Sequence, residues 1–160
     1  MAKWDRPGVP HKGWTLVGYE DIKEDADDDD FEYETCEMCH NERIRYVHIL
    51  THPDYDGEIR VGCDCACKMT DDYETHPEHE RQMRNRAARR RNFLRQKWVQ
   101  NYKGNWVLRY KGQHITAIER NGSYGFVFNN KWIWYYKGRK IYDLETLKLA
   151  AFDAFDEGAF

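Results

Sequence analysis

Between residues 13 and 61 the apolar positions fall in short runs that suit strands. The segment "GWTLVGYEDI" (13–22) predicts one short strand, "IRYVHIL" (44–50) a second and "IRV" (59–61) a third. Pro53 and Asp56-Gly57 supply the turn that joins the last two as a hairpin. From residue 71 the period lengthens: Met83, Ala87, Leu94 and Trp98 recur at spacings of four, seven and four, the narrow stripe of a helix over 71–102 that only Pro77 interrupts. Thr70 is placed to cap it, and Asp71, Asp72 and Glu74 crowd a first turn where the helix dipole favours acids.

The C-terminal third returns to strand-like runs at 105–111, 114–120, 124–128, 131–136 and 139–142. They are divided by Lys111-Gly112, Asn121-Gly122, Asn129-Asn130 and Lys137-Gly138, residues that accept the positive φ of tight hairpins, so a meander is expected. A last helix over "DLETLKLAAFDAF" is capped by Asp143 and carries Leu144, Leu147, Ala151 and Phe155 on one side. In "KWIWYY", alternation sets Trp132, Trp134 and Tyr136 on one face and Ile133 and Tyr135 on the other. One face packs on the final helix; the other leaves aromatic surface for bases or for a protein.

Charge changes the picture where whole-chain numbers hide it. The net charge is −3, yet residues 20–34 hold ten acids against Lys23, and residues 81–97 hold eight basic side chains and no acid. The acidic run reads as a solvated linker over 23–32. No apolar stretch approaches the ~20 residues that cross a bilayer, and "MAKWDRPGVPHKGW" lacks an apolar run of signal-peptide length. The expectation is a soluble protein of a reducing compartment, the bacterial cytoplasm, with no membrane partner.

In that setting five closely spaced cysteines read as metal ligands rather than disulfides. Cys36 and Cys39 form a Cys-x-x-Cys pair ahead of the hairpin, and "VGCDCACK" brings Cys63, Cys65 and Cys67 after it. Two thiolate pairs joined by a hairpin are the order of parts in treble-clef and zinc-ribbon modules, where a closed tetrahedral Zn²⁺ replaces a hydrophobic core. The expected ligands are Cys36, Cys39, Cys63 and Cys65, with Cys67 as the alternative. The fold class is therefore α+β: a zinc-stapled hairpin, treble-clef or zinc-ribbon-like, then a long basic helix, then a small antiparallel meander with a C-terminal helix. The segments are 1–35 with the acidic linker, 36–102 with the zinc hairpin and arginine-rich helix, and 103–160 with the sheet and helix.

Cys36, Cys39, Tyr46-Val47-His48, Val61-Gly62-Cys63, Cys65-Ala66, Arg89-Arg90 and Trp98 together resemble a group of uncharacterised bacterial and phage-type zinc-binding proteins. They share Cys-x-x-Cys, "YVH", "VGC-x-CA" and an arginine-rich helix ending in tryptophan. The resemblance covers roughly residues 36–104; it implies phage or mobile-element origin, makes Cys67 the spare thiol and carries no activity. The sheet with its covering helix, "YDLETLKLAAFDAF", resembles in layout the arm-type DNA-binding domains of phage integrases and the plant ethylene-response domains, which insert a sheet into the major groove.

The basic helix then suggests a partner. Arg84, Arg86, Arg89, Arg90, Arg91 and Arg95 spread around a helix where their mutual repulsion calls for anions, and the arginine fork suits phosphate oxygens and guanine edges. The resulting reading is a non-catalytic, zinc-dependent nucleic-acid-binding protein, with DNA preferred over RNA. The acidic segment would compete for the same arginines. The alternative is an adaptor or inhibitor of a host defence protein that uses the acidic segment or the aromatic sheet. A metal-dependent nuclease fits worse: Val47 precedes His48, no Asn lies between Asn41 and Asn85, and His48, His52 and Asp54 supply only a fragment of a catalytic first shell. "HPEHE" (76–80) spaces its histidines three apart and is not a His-Glu-x-x-His motif.

Overall fold

In a computed structural model of the chain, residues 2–24 and 31–157 are described. Two compact units divide the chain, Met1–Ala87 and Ala88–Phe160. The fold is mixed α and β with antiparallel sheets, as the patterning predicts.

The first unit is built on three antiparallel strands in the order β1 (Thr15–Asp21), β2 (Tyr46–His52), β3 (Tyr55–Val61). β2 lies in the middle, which is why Val47, His48 and Leu50 are all buried there. In register, His48 faces Val61 and Leu50 faces Ile59. The hairpin turns at Pro53-Asp54, where the Asp54 amide hydrogen-bonds to His52 Nδ1 at 2.9 Å. Asp56-Gly57 is not the turn the sequence suggests. It lies within β3, where the pairing jumps from His52↔Tyr55 to Thr51↔Glu58 and Gly57 takes φ +80°, so it forms a bulge.

Two helices follow where one is expected. α1 (Cys63–Thr70) starts at the first of the clustered cysteines and ends on Asp71 in the left-handed region, φ +56°. α2 (Thr75–Leu94) begins after this break and stops well short of residue 102. Thr70 closes α1 instead of capping α2, its hydroxyl donating to the Ala66 carbonyl at 2.8 Å. The cap of α2 is Asp72, whose Oδ1 accepts the Glu74 and Thr75 amides at 3.0 and 2.9 Å. Trp14, Cys36, Met38, Ile44, Val47, Leu50, Ile59, Val61, Cys65, Ala66 and Met69 form the core of this unit. The N-terminal residues join it: Trp14 donates its indole N–H to the Pro10 carbonyl at 2.8 Å, and Trp4 packs against the same cluster.

In the second unit the expected meander forms, with strand order β4 (Val99–Gln100), β5 (Trp106–Tyr110), β6 (Gln113–Arg120), β7 (Ser123–Phe128), β8 (Lys131–Ile133). A short ribbon of β9 (Tyr135–Tyr136) and β10 (Arg139–Lys140) leads into α3 (Leu144–Glu157). Asp143 Oδ1 accepts the Thr146 amide at 2.7 Å, the expected cap. Leu147, Ala151 and Phe152 of α3 are buried with Leu108, Ile115, Phe126, Phe128 and Ile141 of the sheet segment. Phe93, outside the stripe read from sequence, is 1 % exposed and packs on Tyr110, Phe152 and Phe155.

The run 131–136 is not one strand. It breaks at Trp134, so alternation restarts, and Ile133 and Tyr136, expected on opposite faces, both pack on the core. Trp134 lies against Gly125 of the preceding strand β7. A Cβ on Gly125 would stand 2.3 Å from the Trp134 ring, so the indole lies flat on bare backbone.

The Asp72 cap carries a pH signature. The Thr75 hydroxyl, with the Thr75 and Glu74 amides, pulls its carboxyl down to about 2, below the ordinary value of about 3.9. Its stabilisation is therefore complete above about pH 4 and is lost as pH falls toward 2. The protection of the Glu74 and Thr75 amides, as exchange rate relative to the free peptide, should fall over that window in the wild type. In Asp72→Ala that protection should be low at every pH.

Candidate metal centre

The Cys-x-x-Cys pair lies on a tight turn between an isolated bridge, Glu34 with Ile44, and the sheet. The Cys36 amide donates to the Asn41 carbonyl and the His40 amide to the Cys36 carbonyl, both at 2.8 Å, with His40 at φ +65°. This loop folds its own amides around a sulfur. The amides of Cys39 and Met38 hydrogen-bond to Cys36 Sγ, and the Gly62 amide, entering α1, reaches it at 3.5 Å.

Cys65 comes to the same place from α1. The sulfurs of Cys36, Cys39 and Cys65 lie within 4.8 Å of one another. A tetrahedral ion with metal–sulfur bonds of about 2.3 Å would set them about 3.8 Å apart, a modest contraction. Cys36 and Cys65 are buried and Cys39 is exposed. The Cys36 thiol is pulled down to about 5, first by the hydrogen bond from Cys65 and then by the three amides, while the same contact pushes Cys65 up. The Trp4 indole N–H faces Cys65 and favours its thiolate. Amides and an indole aimed at sulfur are the environment that steadies thiolate ligands. These three thiols form a site that can hold a metal ion.

Cys63 is elsewhere. Because it opens α1 and does not close a strand, each residue turns 100° around the axis, and Cys63 and Cys65 point to opposite sides. Cys63 faces His48 of β2 and Glu80 of α2, with the three ligand atoms within 4.8 Å. Cys67, one turn along, hydrogen-bonds to Cys63. Burial, with Glu80 nearby, pushes the Cys63 thiol up; burial does the same to Cys67. The Glu80 carboxyl is held below the usual range, chiefly by His48. A cleft of about 630 Å³ borders residues of both groups, Cys39 and Cys65 as well as Cys63 and Glu80, together with Arg84.

The arginines read as one surface divide by partner. Arg84 donates to Glu80 Oε1 at 2.8 Å and lies over the Tyr46 ring; Arg86 reaches Glu24 at 2.5 Å. Arg89 takes both oxygens of Asp156 at 2.5 and 3.1 Å. For Arg90, Arg91 and Arg95 no carboxylate partner is found among the described residues. Described acids of the 20–34 run are likewise engaged: Asp21 binds Arg45 twice at 2.8 Å, and Glu20 and Glu34 both bind Arg60. Residues 25–30, the centre of that run, lie outside the described residues. Sequence reasoning missed Glu80 and the burial of His48, since neither falls in a recognisable spacing with Cys63. No helix among the described residues is long and apolar enough to cross a membrane.

Comparison with protein-family models, with curated proteins and with solved structures finds no match for this chain.

Replacing Cys36 or Cys65 by serine should remove one bound metal ion per chain, counted by elemental mass spectrometry. Trp4→Phe, which removes the indole donor to Cys65 along with part of the ring, should weaken retention against a competing chelator by about tenfold.

Proposed function

We propose that this is a non-catalytic, zinc-dependent nucleic-acid-binding protein of a bacterial or phage-type system, working in the reducing cytoplasm. Zn²⁺ fits the first centre because three clustered thiols suit a borderline-soft ion with no redox demand and tetrahedral preference. Cys36, Cys39 and Cys65 would hold it. Its part is structural: the unit has a small core, and an ion joining the knuckle to α1 ties together segments about 26 residues apart in sequence.

The observation that carries the nucleic-acid reading is the set Arg90, Arg91 and Arg95. Arg91, in the last turn of α2, and Arg95, just past its end with its amide on the Arg91 carbonyl at 3.2 Å, are exposed and have no carboxylate partner among the described residues. Uncompensated guanidinium groups side by side favour an anionic partner, and phosphate matches their fork. Arg84, Arg86 and Arg89, already paired within the chain, contribute less.

The second unit adds a surface for bases. Trp132 is 50 % exposed and stacks on Trp134 with centroids 5.8 Å apart, and the Arg120 guanidinium lies over the Trp134 ring. Trp134, Tyr135 and Tyr142 border a shallow cleft of about 450 Å³ together with Arg120 and Lys140. Exposed rings beside fixed cations stack on unpaired bases at about 1–3 kcal/mol each.

Titration of labelled duplex and single-stranded DNA and RNA at about 50 and 200 mM salt separates this reading from the adaptor one. Binding should fall steeply with salt, and the triple variant Arg90→Ala, Arg91→Ala, Arg95→Ala should flatten the log–log slope for duplex DNA by about 2.7. Absence of binding to every nucleic acid at the lower salt would point to a protein partner. Gly125→Ala, by lifting Trp134 off its seat, should weaken single-strand binding while leaving the duplex salt slope in place.

A further inference from the structure

We infer that His48, Cys63 and Glu80 form a second metal centre, chemically distinct from the thiol site of Cys36, Cys39 and Cys65.

His48 lies on the central strand with its side chain fully buried, and neither Nδ1 nor Nε2 has a hydrogen-bond partner among the described residues. Proteins pair nearly all their buried polar atoms, and a buried imidazole with both nitrogens unpartnered calls for an ion or an ordered water. Glu80 Oε2 stands 3.7 Å from His48 Nε2, too far for a hydrogen bond. For two ligands of one ion it is close to right: bonds of about 2.0–2.1 Å at a tetrahedral angle place nitrogen and oxygen about 3.3 Å apart. Cys63 Sγ completes the group, all three donor atoms falling within 4.8 Å.

The surroundings are arranged as ligands are usually supported. Arg84 occupies the other oxygen of Glu80 at 2.8 Å, turning Oε2 toward the histidine, and is itself braced over Tyr46. His76, edge-on to His48 at 5.5 Å between ring centroids, meets the Thr70 hydroxyl through Nε2 at 2.6 Å, and its Nδ1 is buried without a hydrogen-bond partner among the described residues. A neutral imidazole, a thiolate and a carboxylate carry two negative charges, which a divalent cation balances in a site of this burial. The mixed nitrogen, sulfur and oxygen set suits Zn²⁺ or Co²⁺. Cys63 opens onto the cleft that also borders Glu80, so an ion has a way in.

The helical twist of α1 makes this division firm: Cys63 and Cys65 serve different centres because they leave the helix on opposite sides. The inference does not need the protein to bind nucleic acid, and its test contains none.

The full chain is purified with Zn²⁺, dialysed against metal-free buffer and counted by elemental mass spectrometry, with circular dichroism to follow folding. Two zinc ions per chain are expected in the wild type and one in each of Cys63→Ser and Glu80→Gln. Cys36→Ser should also retain one, so that pairing it with Glu80→Gln leaves none. Co²⁺ substitution gives a second readout. Glu80→Gln should keep the strong thiolate-to-cobalt charge-transfer band of the three-sulfur site and lose the weaker contribution of a single sulfur. One or no zinc ion per wild-type chain overturns the inference, as does a folded Glu80→Gln protein that still holds two. If Cys63→Ser fails to fold, the wild-type count and Glu80→Gln decide alone.

Discussion

An α-helix turns 100° per residue, and in this chain that single constraint decides how five sulfurs are shared. α1 begins at Cys63, so Cys65 is directed toward the Cys36–Cys39 turn while Cys63 and Cys67 point the other way. Had the triplet continued β3, alternation would also have separated neighbours, but Cys63 and Cys65 would have shared a face. Where the strand ends and the helix starts therefore sets the ligand groups. Gly62 stands at that junction, donating its amide to Cys36 Sγ as the backbone turns into the helix.

The electrostatics follow a similar logic of local pairing. Separation in sequence alone would leave the acidic and basic runs apart. Instead Asp21, Glu20, Glu34 and Glu24 are engaged by Arg45, Arg60 and Arg86, and Asp156 by Arg89. These contacts are partly exposed and each contributes little to stability. They neutralise Arg45, Arg60, Arg86 and Arg89, whereas Arg90, Arg91 and Arg95 have no carboxylate partner among the described residues. Glu80 and Arg84 show the same economy in another setting, since one guanidinium both neutralises a carboxylate and orients it toward His48.

In the second unit, Gly125 and Trp134 play the part that the thiols play in the first. A missing side chain lets an indole lie against the sheet, the strand breaks there, and the aromatic residues that follow are redistributed between core and solvent. The exposed ring pair and its flanking cations result from this break, and the proposed base-stacking surface depends on it.

Much of the fold was legible in the chain itself. Hairpin turn residues, the Asp143 cap and the apolar side of α3 are local signals, and local backbone preference is enough to place them. The Cys36 and Cys39 pair was legible for the same reason, since two intervening residues bring two sulfurs to one side of a turn. Other features depended on partners distant in sequence. The break at Asp71 splits what periodicity reads as one helix, Asp56-Gly57 serves as a bulge because Pro53-Asp54 already turns the chain, and Phe93 finds its place only against Tyr110 and Phe152. His48, Cys63 and Glu80 are 15 and 17 residues apart in sequence, with no spacing that marks them as a set. Sequence determined which donor atoms were available; only the packing of β2 against two helices decided which of them meet, because contacts between distant segments are fixed by burial and chain path rather than by local pattern.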